Sequence, residues 1–378
     1  MTIYKRIGDY IREVNVRNRD LKVTKLVGLT IDKAFIPSVA NVIGTDLTNY
    51  KVIRREQFAC SLMQVSRDGK IPVAMFEEDE AIMSPAYPMF EVIDKTALLP
   101  QYLMMWFSRS EFDREASYYA VGGVRGSLTW EDFCNMKLPI PSITRQREIV
   151  SEYETLTNRI HLNEQMIQNL KATAQTLYRK MFVDNIDKEN LPDGWRMGTI
   201  GEFCKEMKSG GTPSRNHNEY WDKKDYPWLK TGEVQNNVII EVEEYISEEG
   251  YKNSSAKIIP RGAVIMAMYG ATAAQVAYLS CDTTTNQACC NMICHSKEDA
   301  AYLFFHLLTN QVDIKKLANG GAQENLSQEI IAQQPILLLN DKETKMLFVP
   351  ILDNLIVLYK ENSKLTELQS LLLAKMGQ

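Results

Sequence analysis

The chain has 378 residues, of which 45% are hydrophobic and 24% charged; this composition fits globular protein with room for two domains and argues against extensive disorder. Its net charge of −5 is unfavourable for binding nucleic acid unaided, because such binding depends largely on neutralising phosphates. The acidic excess lies in residues 190–340, where 18 acidic side chains outnumber 13 basic ones, whereas residues 1–141 carry 18 of each.

The first half of the chain predicts a domain of short strands followed by a helix. Residues 1–6 lead into mixed polar sequence, which argues against a signal peptide. Apolar patterns predict, in order, a strand over 57–64, a turn over 66–70, a strand over 71–76, a strand over 88–93 and a helix over 98–112.

A long helix with a heptad seam follows this domain. Its seam residues alternate at steps of four and three, and they are Ile149, Tyr153, Leu156, Ile160, Asn163, Ile167, Leu170, Ala174, Leu177 and Met181. This pattern is typical of a coiled coil, in which one polar seam residue such as Asn163 fixes the register. A helix over 146–181 would be about 50 Å long. A helix that packs on its own domain is the alternative.

The second half repeats the order of strands and helix. We expect strands over 263–269, 274–278 and 288–294 and a helix over 299–309. Residues 263–281 carry no charge, but Gly270 and the polar residues around it favour two strands and a turn over a membrane span.

The seven cysteines, an odd number, indicate free thiols in a reducing cytoplasm. Four of them cluster with a histidine, at Cys281, Cys289, Cys290, Cys294 and His295. Because no Cys-x-x-Cys pair exists and adjacent cysteines on a strand point to opposite faces, we expect small buried residues and no metal site.

A second helix with a looser seam ends the chain. The seam residues are Leu347, Ile351, Leu355, Leu358, Asn362, Leu365, Leu368 or Gln369, Leu372 and Met376, again with one asparagine near the middle. Pro350 should tilt the helix or delay its start. We expect the two helices to pair antiparallel, since two copies of one unit related by a two-fold axis would point their helices at each other.

The two halves are an internal repeat. Gly122-Gly123 with Ser127-Leu128 recurs 198 positions later as Gly320-Gly321 with Asn325-Leu326. Three further pairs keep the same order, namely Ile7-Gly8-Asp9-Tyr10 with Ile200-Gly201-Glu202-Phe203, Lys51-Val52-Ile53 with Lys257-Ile258-Ile259, and Tyr102-Leu103 with Tyr302-Leu303. Two copies of one domain-plus-helix unit are therefore the simplest description.

The second domain opens with Lys208-Ser-Gly-Gly-Thr-Pro-Ser-Arg215, then Tyr220-Trp221 and Pro227-Trp228-Leu-Lys-Thr-Gly232. This run resembles the start of a target-recognition domain in the specificity (S) subunits of type I restriction–modification systems. The first domain resembles another variant through Tyr50-Lys-Val-Ile53, Phe58-Ala59, Gly69-Lys-Ile71 and Ser84-Pro-Ala-Tyr87, and Leu138-Pro-Ile-Pro141 with Gln146 is similar to the family's hinge into its helix. In the second copy, Leu337 to Asn340 and Thr344 replace these prolines and the glutamine.

The resemblance implies an α+β fold with two pseudo-repeated α/β target-recognition domains, separated by two long antiparallel coiled-coil helices in a pseudo-two-fold arrangement. The domains would be residues 1–141 and 190–340, and the spacer helices residues 142–185 and 341–377. Each domain would read one half of a bipartite site in double-stranded DNA, with the halves about one helical turn, roughly 34 Å, or more apart.

The resemblance also implies partners. Two modification (M) subunits, which are methyltransferases dependent on S-adenosylmethionine, would dock on the helices, and restriction (R) subunits would use ATP and Mg²⁺. This chain would hold no cofactor and contact no membrane. Exposed helix faces with Arg147, Glu152, Arg159 and Lys171 are candidate docking surfaces.

Polar residues in the loops are the DNA-contacting candidates, because arginine reads guanine edges and asparagine or glutamine reads adenine. In the first domain they are Gln64, Ser66, Arg67, Lys70, Ser84, Tyr87 and Arg125. In the second they are Ser209, Gly210, Gly211, Thr212, Ser214, Arg215, Lys230, Thr231, Tyr269, Thr272, Asn286, Gln287, Gln323 and Asn325. Gly210 and Gly211 would let backbone amides approach a phosphate. We expect Trp195, Trp221 and Trp228 to be core residues.

The sequence contains no nucleotide-binding loop, no dinucleotide fingerprint and no Asn-Pro-Pro or Asp-Pro-Pro methyltransferase motif, so we expect no catalytic residues. The acidic run 77–80 reads as a solvated face and not as a metal site. Three alternatives remain open at this point: a specificity subunit of a type II enzyme that fuses cleavage with methylation, a coiled-coil adaptor that binds no DNA, and an enzyme in its own right.

Overall fold

The computed structural model describes residues 4–38, 44–63, 65–121, 127–184, 186–187, 189–318 and 325–377. The chain divides into two compact units. The first consists of residues 1–159 with 365–378, and the second of residues 160–364.

The first unit is built of short strands followed by helices. The strands are β1 (Tyr4–Arg6), β2 (Ile11–Glu13), β3 (Val27–Leu29), β4 (Phe35–Pro37), β5 (Lys51–Arg54), β6 (Phe58–Cys60), β7 (Val73–Met75), β8 (Glu80–Met83), β9 (Met89–Val92) and β10 (Lys137–Pro139). The helices are α1 (Val65–Asp68), α2 (Pro100–Phe107), α3 (Ser110–Ala120) and α4 (Trp130–Asn135), and the long helix α5 (Ile143–Phe182) begins here. The main sheet has the antiparallel order β2-β9-β6-β7, beside the pairs β1–β10, β5–β8 and β3–β4.

The second unit has the same kinds of element with a larger sheet. Its strands are β11 (Trp195–Thr199), β12 (Glu206–Ser209), β13 (Tyr226–Leu229), β14 (Asn237–Ile239), β15 (Glu244–Ile246), β16 (Ile258–Ile259), β17 (Val264–Ala267), β18 (Val276–Leu279), β19 (Thr283–Thr285), β20 (Cys289–Ile293) and β21 (Pro335–Leu339). Its helices are α6 (Ile200–Phe203), α7 (Glu248–Lys252), α8 (Lys297–Lys316), α9 (Gln328–Ala332) and α10 (Lys342–Met346), followed by the long helix α11 (Val349–Lys375). The strands form sheets of order β12-β20-β17-β18-β14 and β15-β13-β19-β16 and the pair β11–β21.

The predicted repeat is confirmed by the topology of the two units. The order β2-β9-β6-β7 corresponds strand for strand to β12-β20-β17-β18, and β1–β10 corresponds to β11–β21. The Tyr102 hydroxyl donates to the Pro139 carbonyl over 3.2 Å, and the Tyr302 hydroxyl donates to the Leu337 carbonyl over 3.1 Å. The two repeats therefore tie their helix to the same position of the returning strand. The Gly-Gly members of the repeat, at 122–123 and 320–321, lie outside the described residues.

Aromatic packing forms the core of the first unit. Phe58 on β6 stacks on Phe90 of the neighbouring strand with ring centroids 5.0 Å apart. Phe107 at the end of α2 meets both rings edge-on, and Phe133 of α4 packs against Phe90 and Phe107. Because burying each phenylalanine contributes about 1.5–3 kcal/mol, this cluster holds the helices on the sheet.

Several predicted elements are shorter than expected. Among the described residues 57–63, only 58–60 form a strand, and the helical turn α1 overlaps the start of the expected turn. The helix expected over 98–112 breaks at Ser108, whose hydroxyl donates to the Met104 carbonyl. The uncharged stretch 263–281 forms strands β17 and β18 around a turn at Gly270, as predicted. No helix in the described part of the chain is long and apolar enough to cross a membrane.

The two long helices pair in opposite directions within the second unit. Asn163 is 1% exposed, and its side-chain amide donates a hydrogen bond to the side-chain carbonyl oxygen of Asn362 over 2.8 Å. Further along α5, the Lys171 ammonium donates to the Tyr359 hydroxyl over 3.0 Å. The residue number of the partner on α11 falls as the residue number on α5 rises, which confirms the antiparallel pairing. The first of these contacts joins the two seam asparagines.

Helix pairing in the first unit has the same direction. The side-chain amide of Gln369 donates to the Thr157 hydroxyl over 2.7 Å, and Val150 shares a buried cluster with Met376. Gln369 therefore occupies the seam, while Leu368 is 48% exposed.

The start of α11 agrees with the effect expected of Pro350. Helix α10 ends at Met346, and α11 begins at Val349 with Pro350 as its second residue. Proline is tolerated there because the first turn of a helix leaves its backbone amides unpaired in any case.

Lys171 differs from expectation. It is half-buried against Tyr359 and does not lie on an exposed docking face.

The asparagine pair makes a testable contribution to stability. Replacing Asn163 by leucine leaves the side-chain carbonyl of Asn362 without its buried partner, and we expect the free energy of unfolding to fall by roughly 1–3 kcal/mol. The double variant N163L/N362L leaves no unpaired polar group and should recover most of that loss. Chemical denaturation followed by circular dichroism measures both, with exposed Asn158→Leu as the control. A double variant that loses the sum of the single losses would contradict this account.

Candidate nucleic-acid interface

One edge of the main sheet in the second unit collects the ends of several strands. Ser209 at the end of β12 pairs with Cys290, and Ala267 at the end of β17 pairs with Cys289. Strand β18 starts at the same edge, because Val276 pairs with Met266. The end of β13 lies there as well, since its residue 229 pairs with residue 285 and the residue 286 amide donates to the residue 229 carbonyl. We call residues 209–215, 230–231, 268–275, 285–288 and 325 the loop edge.

The loop edge brings together the described DNA-contacting candidates of the second domain. They are Ser209, Gly210, Gly211, Thr212, Ser214, Arg215, Lys230, Thr231, Tyr269, Thr272, Asn286, Gln287 and Asn325. The Thr212 hydroxyl donates to the Gln287 side-chain carbonyl, and Tyr269 forms a β-bridge with Asn325. Gln323 lies outside the described residues.

The two glycines allow close packing within the protein, and the Gly211 amide is used there. A β-carbon on Gly210 would lie 2.0 Å from the Thr285 carbonyl oxygen, and one on Gly211 would lie 2.3 Å from the Ser255 hydroxyl. The Gly211 amide already donates to the Thr285 carbonyl over 2.8 Å, so this amide is not available to a phosphate. The Gly211 carbonyl accepts a hydrogen bond from the Trp228 indole over 3.0 Å.

Two other candidates also have structural roles in the loop edge. The Asn286 side-chain carbonyl accepts the Ala288 amide over 3.2 Å and so closes the turn before β20. The Ser209 hydroxyl donates to the Gln328 side-chain carbonyl over 3.0 Å, which joins β12 to α9. Tyr269, by contrast, is 43% exposed, and Gln287 is also exposed.

The Arg215 side chain is held by an aromatic ring and a carboxylate. Its guanidinium carbon lies 3.5 Å from the centre of the Trp221 ring, and one terminal nitrogen lies 2.6 Å from a carboxylate oxygen of Glu244. The other Glu244 oxygen lies 3.0 Å from the Lys230 ammonium, which also contacts Glu243 at 2.9 Å. Both cations of the loop edge are thus paired with acids of strand β15 or the residue before it.

Lys230 and Glu244 favour each other's charged form. Hydrogen bonds from the ammonium of Lys230 to Glu243 and Glu244 raise the pKa of Lys230 above its ordinary value. Partial burial raises the pKa of Glu244, but hydrogen bonds from Lys230 and Arg215 outweigh it and hold that pKa below its ordinary value. Burial raises the pKa of Glu233, which accepts the backbone amides of Lys230 and Glu243.

Sequence reasoning missed Glu244 and the supporting role of Trp221. Glu244 lies 29 residues after Arg215 and reaches it because β15 pairs with β13, where Glu244 faces Trp228. Only the strand pairing could have shown this contact. Trp228 is buried, as expected of a core tryptophan, and Trp195 packs partly buried against the core, whereas Trp221 also supports Arg215.

The first unit carries its candidates at the corresponding edge of its sheet. Strand β6 ends and β7 begins there, since Cys60 pairs with Val73, and β9 begins there, since Ala59 pairs with Met89. Candidates on the two connecting segments are Ser66, Arg67, Lys70, Ser84 and Tyr87. Gln64 and Arg125 lie outside the described residues.

Three of these residues of the first unit are also engaged with neighbours, Arg67 and Lys70 through their side chains and Tyr87 through its backbone carbonyl. Arg67 pairs with Asp68 at 2.6 Å, and the Lys70 ammonium lies 3.3 Å from Asp32. The Tyr87 carbonyl accepts the buried Lys51 ammonium over 2.8 Å, which fixes the turn before β9.

The cysteine cluster does not converge on one point. Cys289 packs in one buried cluster and Cys290 in another, on the opposite face of β20, as predicted for neighbours on a strand. Among the described residues, no three histidine, cysteine, aspartate or glutamate side chains come together as ligands for a metal ion.

Comparison with known proteins decides the family. Residues 192–370 match the family described as the type I restriction modification DNA specificity domain. The chain belongs to the specificity subunits of type I restriction–modification systems. Such a subunit selects DNA and has no catalytic activity of its own.

Two curated specificity subunits are similar over most of their length. The EcoR124I/EcoR124II specificity subunit of Escherichia coli is 24% identical, over 75% of this chain and 72% of that protein. The HindI specificity subunit of Haemophilus influenzae is 23% identical, over 76% of this chain and 79% of that protein. The crystal structure of the type I S subunit from M. genitalium shares the fold, with a TM-score of 0.58 and 13% identity over 100% of this chain and 96% of that one.

The packing of Gly211 in this specificity subunit can be tested by adding one methyl group. Gly211→Ala places a β-carbon within 2.5 Å of the Ala256 amide nitrogen, so we expect a loss of stability of about 1–3 kcal/mol or more, measured by thermal or chemical denaturation. Gly232→Ala is the matched control, because nothing lies within 4 Å of its β-carbon position. Equal stabilities of the two variants would contradict the tight packing.

Proposed function

We propose that this specificity subunit binds double-stranded DNA through the loop edge of its second unit and the corresponding edge of its first. Each unit would read one half of a split target. The observation that carries the proposal is that two units of the same strand order place polar candidates on the same edge of their sheets.

The charge distribution supports a subunit that works within a complex. The net charge is −5, and the described loop-edge cations Arg215 and Lys230 are paired with acids. Because affinity for DNA depends on phosphate neutralisation, partner subunits would supply most phosphate contacts. We propose that these partners are two M subunits, which bind S-adenosylmethionine, together with R subunits that use ATP and Mg²⁺.

Exposed apolar residues on the long helices support docking of the M subunits. In the first unit, Leu368 and Leu371 are 48% and 53% exposed and line a groove of about 440 Å³ together with Leu156. In the second unit, Leu162 and Val357 are 57% and 60% exposed. Apolar side chains on helix faces are the usual contacts of a permanent protein partner.

The experiment is to map methylated adenines in cells that carry the M subunit with and without this chain. We expect a split sequence motif to be methylated only when both proteins are present. Methylation that does not depend on this chain, or that follows no motif, would favour an adaptor that does not contact DNA.

The assignment of one unit to one half-site can be tested separately. Exchanging residues 190–340 for the corresponding domain of a related subunit should change one half of the methylated motif and leave the other half intact. Restoring the original segment is the control. A change in both halves would show that the units do not read independently.

A further inference from the structure

We propose that Arg215 reads a guanine in the half-site of the second unit and that Glu244 is the positioning residue that aims it. This inference rests on the proposed function, because it requires the loop edge to face DNA.

The Arg215 guanidinium is restrained on one face and on one edge. The indole of Trp221 lies under the face, with the guanidinium carbon 3.5 Å from the ring centre, and Glu244 holds a terminal nitrogen at 2.6 Å. Trp221 is itself fixed, since its indole donates to the Ser214 carbonyl over 3.2 Å and its ring meets Trp228 edge-on with centroids 5.0 Å apart. Restraint of a long side chain before binding lowers the entropy cost of ordering it on DNA.

The restrained guanidinium keeps donors for a base. Its side chain is 52% exposed, and a guanidinium has five N–H donors in a planar fork, of which Glu244 accepts one. Two neighbouring donors of such a fork match the O6 and N7 acceptors on the major-groove edge of guanine. No other base presents two acceptors there in that arrangement.

The local charge favours a base edge over a phosphate. The two cations Arg215 and Lys230 and the two carboxylates Glu243 and Glu244 form a cluster without net charge. A third carboxylate, Glu233, lies within hydrogen-bonding distance of the backbone of this cluster. A phosphate would meet carboxylate repulsion that offsets its attraction to Arg215, whereas the edge of a guanine is uncharged and needs only correctly placed donors.

Glu244 is placed to fix the direction of the arginine. One carboxylate oxygen accepts Arg215 and the other contacts Lys230, so the carboxylate is itself held from two sides. Its strand β15 is hydrogen-bonded to β13, which carries Trp228. The direction of the Arg215 fork is therefore set by the sheet and not by the loop alone.

The first test uses the complex of this chain with its M subunits and short duplexes that contain the methylated motif. The guanine in the half-site of the second unit is replaced by adenine, and the ratio of the two dissociation constants is measured. We expect Arg215→Ala to lower this ratio by about 10- to 100-fold at one position and to leave discrimination in the other half-site unchanged. Arg196→Ala is the matched control, because Arg196 is also an exposed arginine of the second unit paired with a glutamate, Glu202.

Arg215→Lys separates a base contact from a phosphate contact. Lysine keeps the positive charge but lacks the planar fork, so we expect it to lose guanine discrimination as alanine does. If Arg215 instead contacts a phosphate, R215A should weaken binding to all sequences by the same factor. The salt dependence of binding should then fall by about one released ion in R215A and recover in R215K. That result, or a half-site of the second unit without guanine, would overturn the assignment while leaving the proposed function intact.

The second test concerns Glu244. Glu244→Gln should weaken binding of the intact motif several-fold while guanine stays the preferred base, and Glu244→Asp should retain more of the affinity than glutamine does. Because Glu244 acts through Arg215, the double variant R215A/E244Q should bind no more weakly than R215A. Independent, additive losses would show that Glu244 does not position the arginine. If wild-type cells show no methylation that depends on this chain, that result would instead contradict the proposed function itself.

Discussion

The close packing of two glycines against neighbouring backbone determines the form of the candidate DNA-binding edge. Gly210 and Gly211 lie where a β-carbon would collide with Thr285 and Ser255, so the segment after β12 is pressed onto β19 and the segment before β16. The Gly211 carbonyl accepts a hydrogen bond from the Trp228 indole, and the Trp228 ring packs edge-on against Trp221. A larger residue would move the backbone on which these contacts depend.

The same scaffold is built twice with different chemistry at its hinge. In the first unit, Gln146 is fully buried and bonds to the Leu99 amide and to the carbonyls of Ala97 and Pro141. In the second, the hinge instead contains the Asp299–Lys345 ion pair at 2.6 Å, which joins the start of α8 to α10. Either arrangement satisfies the polar groups where a strand gives way to a helix, so the departure from the family pattern leaves the fold unchanged.

Contacts at the loop edge account for part of the acidic excess of the second unit. The excess of acids in residues 190–340 includes Glu243 and Glu244, which pair with the cations Lys230 and Arg215, and Glu233, which accepts the Lys230 backbone amide. Carboxylates used in this way lower the attraction for phosphate but increase geometric precision. In the proposed function, selectivity and affinity would be served by different surfaces, and the subunit could be acidic because its partners would carry the electrostatic part of binding.

The sequence by itself determined the repeat, the seam asparagines and the two strands around Gly270, because these depend on order and periodicity along the chain. It also placed Arg215 and Lys230 among the candidates. Only the tertiary structure decided that Gly211 serves packing, that Lys171 is half-buried and that Glu244 reaches Arg215. The reason is physical: these contacts join segments that are far apart in the chain and meet only through strand pairing or helix packing, which no local pattern encodes.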